Sequence, residues 1–355
     1  MRSDKPCCRY VSDTLGVGKT VRWRGMPNCE AETMCPLINT VVLASDLSEE
    51  TGSAQRYAVS LAGTFRAELR IVYVAPVQPM VFPGELTMAL YHDRFRMEID
   101  RQLQALLRGI REEGIRANAV QFMGKPGKTI LEAVKKFQAD LLVLGSHPRR
   151  PHLYALTAGI VDHVVRSAPC PVLTVPSAFG DAALSGSMCV RRLVVVVDWS
   201  ESALIACEYA SELAQRHRAV VTILVVTTNA TGPASDVDAI ADAMRSEGLQ
   251  VEIRIATGDP SRAIVAYARG HGCDCVVIGL PAYGADGAGD HPVQQILAQA
   301  VCPVMIVKNP KFPSGYRPAA SDGRVEETGS AAGRETDGER DTTVGGMPCT
   351  IRTER

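Results

Sequence analysis

The feature that most constrains this chain is an internal repeat, because two long stretches carry the same motifs in the same order. The first stretch opens with the letters NTVVLASDLSEE and the second with RLVVVVDWSES. Each continues to a Gly-x-Pro turn, a helical pattern and an apolar run that ends in glycine. Gly124 and Gly145 are 21 positions apart, and so are Gly258 and Gly279. The equal spacing predicts two copies of one structural unit.

Within each copy, apolar β-branched runs alternate with amphipathic stretches, as is typical of strands buried on both faces of a parallel sheet. The predicted strands of the first copy are 38–44, 69–74, 118–122, 140–144 and 171–175, and its predicted helices are 52–66, 85–113, 127–138 and 157–167. Those of the second copy are 192–197, 220–226, 250–255, 275–278 and 303–307, with helices at 201–217, 235–247, 260–270 and 292–299. The alternation predicts an α/β fold with right-handed crossovers and one doubly wound parallel sheet in each copy.

The repeat also predicts how the 355 residues divide into domains. Residues 37–177 and 191–309 are the two predicted domains, and the small Gly- and Ser-rich segment 178–190 is interpreted as a linker. Residues 1–36 form an irregular leader with little periodicity. Large apolar residues are scarce in segment 310–355, which therefore cannot bury enough surface to offset its ordering entropy and is predicted to be a disordered tail.

Composition narrows the class of protein. The net charge of −1 argues against a strongly basic nucleic-acid binder. No apolar run of about 18 residues is present to span a membrane, and no secretory signal opens the sequence. A cytoplasmic protein without nucleic-acid or membrane partners is therefore predicted, and its 11 cysteines are expected to be free thiols.

Four pairs of motifs resemble the universal stress protein family. They are the strand ends ASDLSE and VVDWSE, the turns GKP and GDP, the strands ADLLVLGS and CDCVVIGL, and the closing strands APCPV and AVCPV. The resemblance implies an adenine-nucleotide alpha-hydrolase-like fold, with a five-stranded parallel sheet in strand order 3-2-1-4-5 in each domain. It also implies that the two domains pack as an intramolecular pair, commonly through the last strand.

Some members of that family bind ATP through a pattern after the fourth strand: Gly, two residues, Gly, nine residues, Gly, then Ser or Thr. Glycines let main-chain N–H groups approach phosphates, and a helix N-terminus adds partial positive charge. In the first copy Gly145 matches the first glycine, but the second falls on Pro148, which has no N–H to donate. Ala158 and Gly159 stand at the last two positions.

The second copy departs from the same pattern. Gly279 matches the first glycine, but Ala282 takes the second position. Counting forward puts the Pro–Val pair at 292–293 at the last two positions, whereas aligning back from the closing strand puts the Asp–His pair at 290–291 there. An acidic residue at these positions would repel phosphate, and a residue without a hydrogen-bond donor would not bind it. Both phosphate loops are therefore interpreted as degraded.

Asp46 and Asp198 end the first strand of each copy, where ligands bind in open parallel sheets. In nucleotide-binding relatives the matching Asp lies in the adenosine part of the site. The alternative is a structural role, in which the carboxylate binds nearby backbone amides before Ser48 or Ser200 caps the next helix. Val74, which ends the second strand, would line the adenine pocket by the same resemblance, or would simply pack in the core.

Gly124 and Gly258 each stand two residues before a proline that suits the first turn of a helix. Their role is interpreted as chiefly structural, with ribose contact as the alternative. Arg149 lies in the segment SHPRRPH, which replaces the glycine-rich loop of the first copy. Its side chain either attracts an anion in place of the lost backbone donors or belongs to a solvated basic loop.

Cys273 and Cys275 would suggest a metal only with a second ligand pair at zinc-like spacing, and none accompanies them. The first copy has Ala139 and Leu141 at these positions, so both thiols are predicted to be buried. The letters GVGKT at 16–20 lack the first glycine of a phosphate-binding loop, and no catalytic motif is visible. No catalytic or metal-binding residue is therefore assigned.

Three functions follow as hypotheses. The first is a non-catalytic stress-response protein whose paired domains act through an unidentified protein partner or weak ligand sensing, with a homodimer as a further option. The second is a regulatory switch in which the first domain binds ATP or AMP and hydrolyses ATP slowly, using Asp46, Val74, Gly124 and Gly145. The third is an enzyme or transfer protein of the wider alpha-hydrolase type, which no catalytic motif supports.

Overall fold

The computed structural model describes residues 37–76, 85–146, 151–177, 179, 190–198, 200–227, 234–280, 292–308 and 351–352. The leader at 1–36, most of the linker and all but two residues of the tail lie outside the described residues, as do the predictions made for them. The domains themselves are described apart from a few of their loops.

Strands and helices alternate through both domains. The strands of the first domain are Thr40–Ala44 (β1), Glu68–Pro76 (β2), Ala117–Gly124 (β3), Leu141–Ser146 (β4) and Val172–Pro176 (β5). Those of the second domain are Arg192–Val197 (β6), Val220–Thr227 (β7), Gln250–Thr257 (β8), Cys275–Leu280 (β9) and Val304–Lys308 (β10). A short further strand, Ile351–Arg352 (β11), comes from the tail.

The described part of each domain contains four α-helices. Those of the first are Gly52–Phe65 (α1), Glu85–Glu112 (α2), Pro126–Lys136 (α3) and Pro151–Ser167 (α4). Those of the second are Glu201–His217 (α5), Ala234–Ser246 (α6), Pro260–Gly270 (α7) and Pro292–Gln299 (α8). None of the described helices is long and apolar enough to cross a membrane.

The central strands form from unbroken apolar runs because helices cover both faces of the sheet. Val41, Val42 and Leu43 of β1 are fully buried, and so are Leu193 and Val195 of β6. A strand with one solvated face would instead alternate apolar and polar residues. The lack of alternation in these runs therefore reflects burial from both sides.

The eleven strands described above join in one sheet, in the order β11-β8-β7-β6-β9-β10-β5-β4-β1-β2-β3. Within each domain the order is 3-2-1-4-5 with parallel neighbours, so the doubly wound α/β fold predicted from the sequence is confirmed. The domains meet where β10 pairs antiparallel with β5, with Val304 opposite Thr174 and Ile306 opposite Val172. The two predicted sheets are thus halves of one continuous sheet.

The clearest difference from the sequence-based elements concerns α4. The pattern predicted a helix from residue 157, after a basic loop at 146–152, whereas α4 begins at Pro151. Proline is favourable in the first helical turn because its missing N–H would have no partner there. At the other end of the chain, Ile351 and Arg352 pair antiparallel with the outer edge of β8.

Two equivalent tyrosines tie the domains together. Tyr57 on α1 and Tyr209 on α5 each lie eleven residues after the repeated Asp that ends the first strand. Tyr57 is 1% exposed, and its hydroxyl donates to the carbonyl oxygen of Asp274 in the other domain at 3.5 Å. The pKa of Tyr57 is raised chiefly by burial and next by the neighbouring Cys275. The pKa of Tyr209 is raised chiefly by burial and next by the charge of Asp140. Each domain therefore inserts a tyrosine beside the aspartate that precedes the other domain's fourth strand.

Those two aspartates also hold the first and fourth strands of their own domain together. Asp140 Oδ2 accepts hydrogen bonds from the backbone N–H groups of residues 39 and 40, both at 2.9 Å. Asp274 Oδ2 accepts from the backbone N–H groups of residues 191 and 192 at 2.8 and 2.9 Å. Hydrogen bonds to a charged acceptor are stronger than neutral ones, so each carboxylate fixes where the strands begin.

A buried carboxylate adds a contact on one side of the junction. Glu212 on α5 is 5% exposed, and its two oxygens accept from the backbone N–H of Leu37 in the first domain at 3.0 and 3.3 Å. Arg216 lies 3.6 Å from Glu212 Oε1 and 5.3 Å from the centre of the Phe65 ring of α1. The charge of Glu212 is therefore compensated from both domains.

We expect Tyr57→Ala to lower the free energy of unfolding by about 3–5 kcal/mol, because truncation leaves a cavity at the domain junction. Tyr57→Phe is the matched control, since it keeps the ring and removes only the hydroxyl that bonds the Asp274 carbonyl and Cys275, at a cost of about 1 kcal/mol. Urea unfolding followed by circular dichroism measures both. Equal losses in the two variants would show that the ring does not support the junction.

Lys308 ends β10, and its buried amino group has no hydrogen-bond partner among the described residues. Burial lowers the pKa of Lys308 to about 8; the neighbouring Cys170 opposes this shift and Arg166 adds to it. In the unfolded chain the pKa of lysine is about 10.4. Below about pH 8 the folded protein therefore holds a charged amino group in a buried position, which lowers its stability. This loss of stability shrinks as the pH rises from about 8, where the folded protein releases the proton, to about 10.4, where the unfolded chain does.

Lys308→Met should therefore raise the free energy of unfolding at neutral pH, by on the order of 2 kcal/mol. Its advantage over the unchanged protein should shrink as the pH rises from about 8 to about 10.4. Thermal unfolding across this range measures the difference, with the exposed Lys128→Met as control. An advantage that does not change with pH would rule out titration of Lys308 as its source.

Candidate functional site

The strand order brings the candidate residues of the first domain to one end of the sheet. β1 and β4 are neighbours, and the chain leaves them toward opposite faces, so a crevice opens beyond their carboxyl ends. Asp46 follows β1, Val74 lies near the end of β2, Gly124 ends β3, and Gly145 lies near the end of β4. Asp198, Gly258 and Gly279 have the equivalent places in the second domain.

The two crevices open at opposite ends of the common sheet. This follows from the antiparallel pairing of β5 with β10, which reverses the direction of every parallel strand of the second domain relative to the first. A ligand of modest size therefore occupies one crevice or the other and cannot bridge them. Any communication between the crevices would have to pass through the junction.

The Asp46 carboxylate is bound within its own turn. Its Oδ1 atom accepts from the Ser48 N–H at 3.0 Å, from the Ser48 hydroxyl at 2.7 Å and from the Thr51 hydroxyl at 3.1 Å. Within that turn Leu47 has a φ of 61°, an uncommon left-handed conformation for a residue with a side chain. Asp46 thus stabilises a tight turn at the mouth of the crevice.

Asp198 makes two of these three contacts in the second domain. Its Oδ1 atom accepts from the N–H and the hydroxyl of Ser200 at 3.1 and 2.6 Å. Ser200 in turn caps α5, because its hydroxyl oxygen accepts from the Ala203 N–H at 3.1 Å. The predicted capping role is wrong for Ser48, whose side chain makes no capping bond. There the 3-10 turn Glu49–Thr51 separates the serine from α1.

Val74 lies beside an aromatic part of the core. It is half-buried, stands opposite Phe122 of β3 and packs against the core cluster. The Phe122 and Phe137 rings are 6.5 Å apart, and the Lys136 amino group lies 5.6 Å from the centre of the Phe122 ring. These contacts favour the packing interpretation of Val74.

The glycines that end β3 and β8 have steric explanations. A Cβ atom at Gly124 would lie 2.5 Å from the Thr129 hydroxyl oxygen. Gly258 has a φ of 115°, which side chains disfavour. Pro126 and Pro260 begin the following helices, as the sequence predicted. Both glycines are therefore accounted for without a ligand.

Gly279 also has a packing role. A Cβ atom there would overlap the backbone of Ser202 and Ala203 at the start of α5. Only glycine lets this helix lie so close to β9. Gly145 has the corresponding place in β4, where it is half-buried and stands opposite Val175.

The early start of α4 changes the first phosphate loop. Because α4 begins at Pro151, Ala158 and Gly159 lie beyond its first turn, where N–H groups bind carbonyls of the helix itself. They therefore cannot serve as the free donors that the family pattern places at a helix N-terminus. Residues 147–150, which include Pro148 and Arg149, and residues 281–291 lie outside the described residues.

The described residues contain no group of three or more His, Cys, Asp or Glu side chains that could hold a metal. Cys273 and Cys275 are free and buried, as predicted. Burial, followed by the charge of Asp274, raises the pKa of Cys273 to about 11 and that of Cys275 to about 12. Both thiols therefore stay protonated at neutral pH and behave as apolar core groups.

The sequence analysis did not single out the residues that join the domains, although the repeat contains a signal for them. Tyr57 and Tyr209 stand at equivalent positions of the two copies, and so do Asp140 and Asp274. Comparing the copies residue by residue would single them out. It would not show that each pair acts across the junction, because that depends on how the domains dock.

Comparison with known proteins identifies the family to which this chain belongs. The sequence model of the universal stress protein family matches this chain twice, at residues 38–176 and 190–308. The chain belongs to the universal stress protein family. A universal stress protein of Methanocaldococcus jannaschii is 29% identical over 140 residues, which are 39% of this chain and 82% of that protein. One of Bacillus subtilis is 30% identical over 149 residues, or 39% of this chain and 99% of that protein.

Solved structures match both domains of this universal stress protein together. The crystal structure of a universal stress protein from Archaeoglobus fulgidus superposes with a TM-score of 0.63 and 19% identity, covering 76% of this chain and 96% of that one. A functionally unknown protein of Pseudomonas aeruginosa gives a TM-score of 0.53 and 18% identity, with 77% and 94% covered. At these identities the likeness shows the fold alone. The family inferred from the repeated motifs is confirmed.

Gly279→Ala in this universal stress protein should lower the free energy of unfolding by about 2–3 kcal/mol, because the new methyl group would force α5 away from β9. The matched control is Gly109→Ala in α2, where a Cβ atom would meet nothing within 4 Å. That change should stabilise the protein by about 0.5–1 kcal/mol. Chemical denaturation measures both, and a neutral Gly279→Ala would show that the close approach is not required.

Proposed function

We propose that this universal stress protein acts in a stress response through association with a protein partner or weak sensing of a small ligand, rather than through tight nucleotide binding. The proposal rests on the sequence that follows β4 and on the residue at which α4 begins. Pro148 offers no N–H at the second glycine position, and Ala158 and Gly159 lie inside α4. A triphosphate placed there would meet few of the backbone donors that such a cradle needs.

The turn after β1 supports the same proposal. Asp46 already binds one backbone N–H and two hydroxyl groups through Oδ1, and Asp198 binds one N–H and one hydroxyl in the second domain. These local bonds account for the repeated Asp without a nucleoside. We place the activity in the cytoplasm, with no nucleic-acid or membrane partner and with no tightly bound cofactor.

A nucleotide switch in the first domain is the second candidate. It is favoured by the gathering of Asp46, Val74, Gly124 and Gly145 around one crevice. In this candidate ATP or AMP would be the ligand, Arg149 would supply a positive charge that the backbone lacks, and any ATP hydrolysis would be slow. The second domain, with Asp198, Gly258 and Gly279, would then serve chiefly as the fixed partner of the first.

The contents of the freshly purified protein separate the two candidates. We expect mass spectrometry of the denatured sample to find no stoichiometric ATP or AMP, and Mg-ATP to leave the melting temperature unchanged. Stoichiometric nucleotide would overturn the first proposal. In that event Asp46→Ala should abolish binding while the matched Asp198→Ala should not, and Arg149→Ala with Arg150→Ala should weaken it.

A complementation experiment tests the stress role itself. A strain that lacks this gene should survive starvation or oxidative stress poorly and should be rescued by the unchanged protein. Rescue by Asp46→Ala to the same extent is expected if function does not depend on a nucleotide. Survival that does not depend on the gene under any such stress would overturn the stress-response proposal.

A further inference from the structure

β3 is the outermost strand of the first domain, and one of its edges is unpaired in the described part of the chain. It is 8 residues long, Ala117–Gly124, and contains neither a charged residue nor proline. Edge strands of soluble proteins are usually protected by charge, proline, a bulge or a covering segment. The equivalent strand β8 has such protection, because it carries Glu252 and Arg254 and pairs with β11.

The hydrogen bonds of β3 show which of its backbone groups face outward. The Leu69 N–H of β2 donates to the Arg116 carbonyl, so even-numbered residues bind β2 and odd-numbered residues turn their N–H and C=O groups to the open edge. The Ala117 carbonyl is already bound by Arg111 through Nε at 3.0 Å and Nη2 at 2.8 Å. The open part of the edge is therefore 119–123.

Exposed apolar side chains are found on β3 and on α2, the helix that packs against it. Met123 of β3 is 62% exposed, and Met97 and Phe95 of α2, the helix that packs beside β3, are 70% and 38% exposed. The other large apolar residues exposed in the described structure, Ile255 and Val301, belong to the second domain. Large apolar side chains left exposed on neighbouring elements favour a surface for association.

We propose that β3 joins two copies of this chain, with the two β3 strands paired antiparallel about a twofold axis at Gln121. Gln121 is the midpoint of the open edge, so Ala119 of one copy faces Met123 of the other. In a symmetric interface the central residue meets itself, and a charge there would repel its own copy. Gln121 carries no charge, so it does not oppose pairing at the axis.

The same axis places further apolar surface in the contact. It runs perpendicular to the sheet, so the two α2 helices lie side by side on one face of the extended sheet. Met97, Phe95 and Met123 lose exposure to water, which adds an apolar contribution to the strand pairing. The contact repeats the way in which the two domains already join, strand edge to strand edge and antiparallel.

The oligomeric state tests this proposal. Light scattering coupled to size-exclusion chromatography of the full chain should show a dimer at increasing concentration. Gln121→Pro removes one outward N–H and leaves the bonds to β2 intact, so it should give a folded monomer. Ile255→Pro, at the equivalent position of β8, is the control; it disturbs the pairing with β11 but should leave the protein dimeric. A monomeric unchanged protein, or a Gln121→Pro variant that still dimerises, would overturn the proposal.

Charge exchange at the axis gives a test that does not depend on proline. Gln121→Lys alone and Gln121→Glu alone should each be monomeric, because like charges would meet at the centre. An equimolar mixture of the two variants should restore the dimer, and high salt should weaken it. Circular dichroism verifies that each variant is folded. A mixture that stays monomeric while the unchanged protein is dimeric would place the contact elsewhere.

Discussion

The antiparallel pairing of β5 with β10 is the contact on which the rest of this molecule depends. In each domain the last strand would otherwise be an open edge, with unpaired N–H and C=O groups along an apolar strand. Pairing the two edges closes both at once and buries Thr174, whose hydroxyl donates to the Val304 carbonyl at 3.2 Å. The pairing also creates a local twofold relation between domains that follow one another in one chain.

That relation explains why structural features occur twice and why they cross between domains. Each tyrosine of the pair Tyr57 and Tyr209 lies beside the other domain's aspartate, Asp274 or Asp140. The same aspartates fix the start of the first strand in their own domain. Loss of packing at the junction would therefore affect strand alignment as well as docking, so the two domains are expected to unfold together.

Covalent linkage has allowed the two halves of the junction to differ. Glu212 stands three residues after Tyr209, whereas Ser60 has that place after Tyr57, and its buried hydroxyl has no partner in the described structure. Lys308 stands six residues after Cys302, and Pro176 has the same place after Cys170. A homodimer must use one sequence on both sides of its axis, but a fused pair can place a charge on one side only. The junction keeps its geometry while its electrostatics have become asymmetric.

The sequence alone determined the repeat, the strand–helix alternation and the family, because each depends on local periodicity and on motifs in a conserved order along this one chain. It also located the residues at the strand ends, since the carboxyl ends of parallel strands necessarily meet at one end of the sheet. It misplaced the start of α4, where two prolines suggested a loop although the second one, Pro151, suits the first turn of a helix.

Only the tertiary structure decided how those parts work together. It joined two sheets into one, sent Tyr57 and Tyr209 across the junction and left one edge of β3 open in the described part of the chain. It also showed that Gly279 lets the start of α5 lie close to β9. These outcomes depend on pairs of residues far apart in sequence, whose distances are fixed by docking and packing rather than by local pattern.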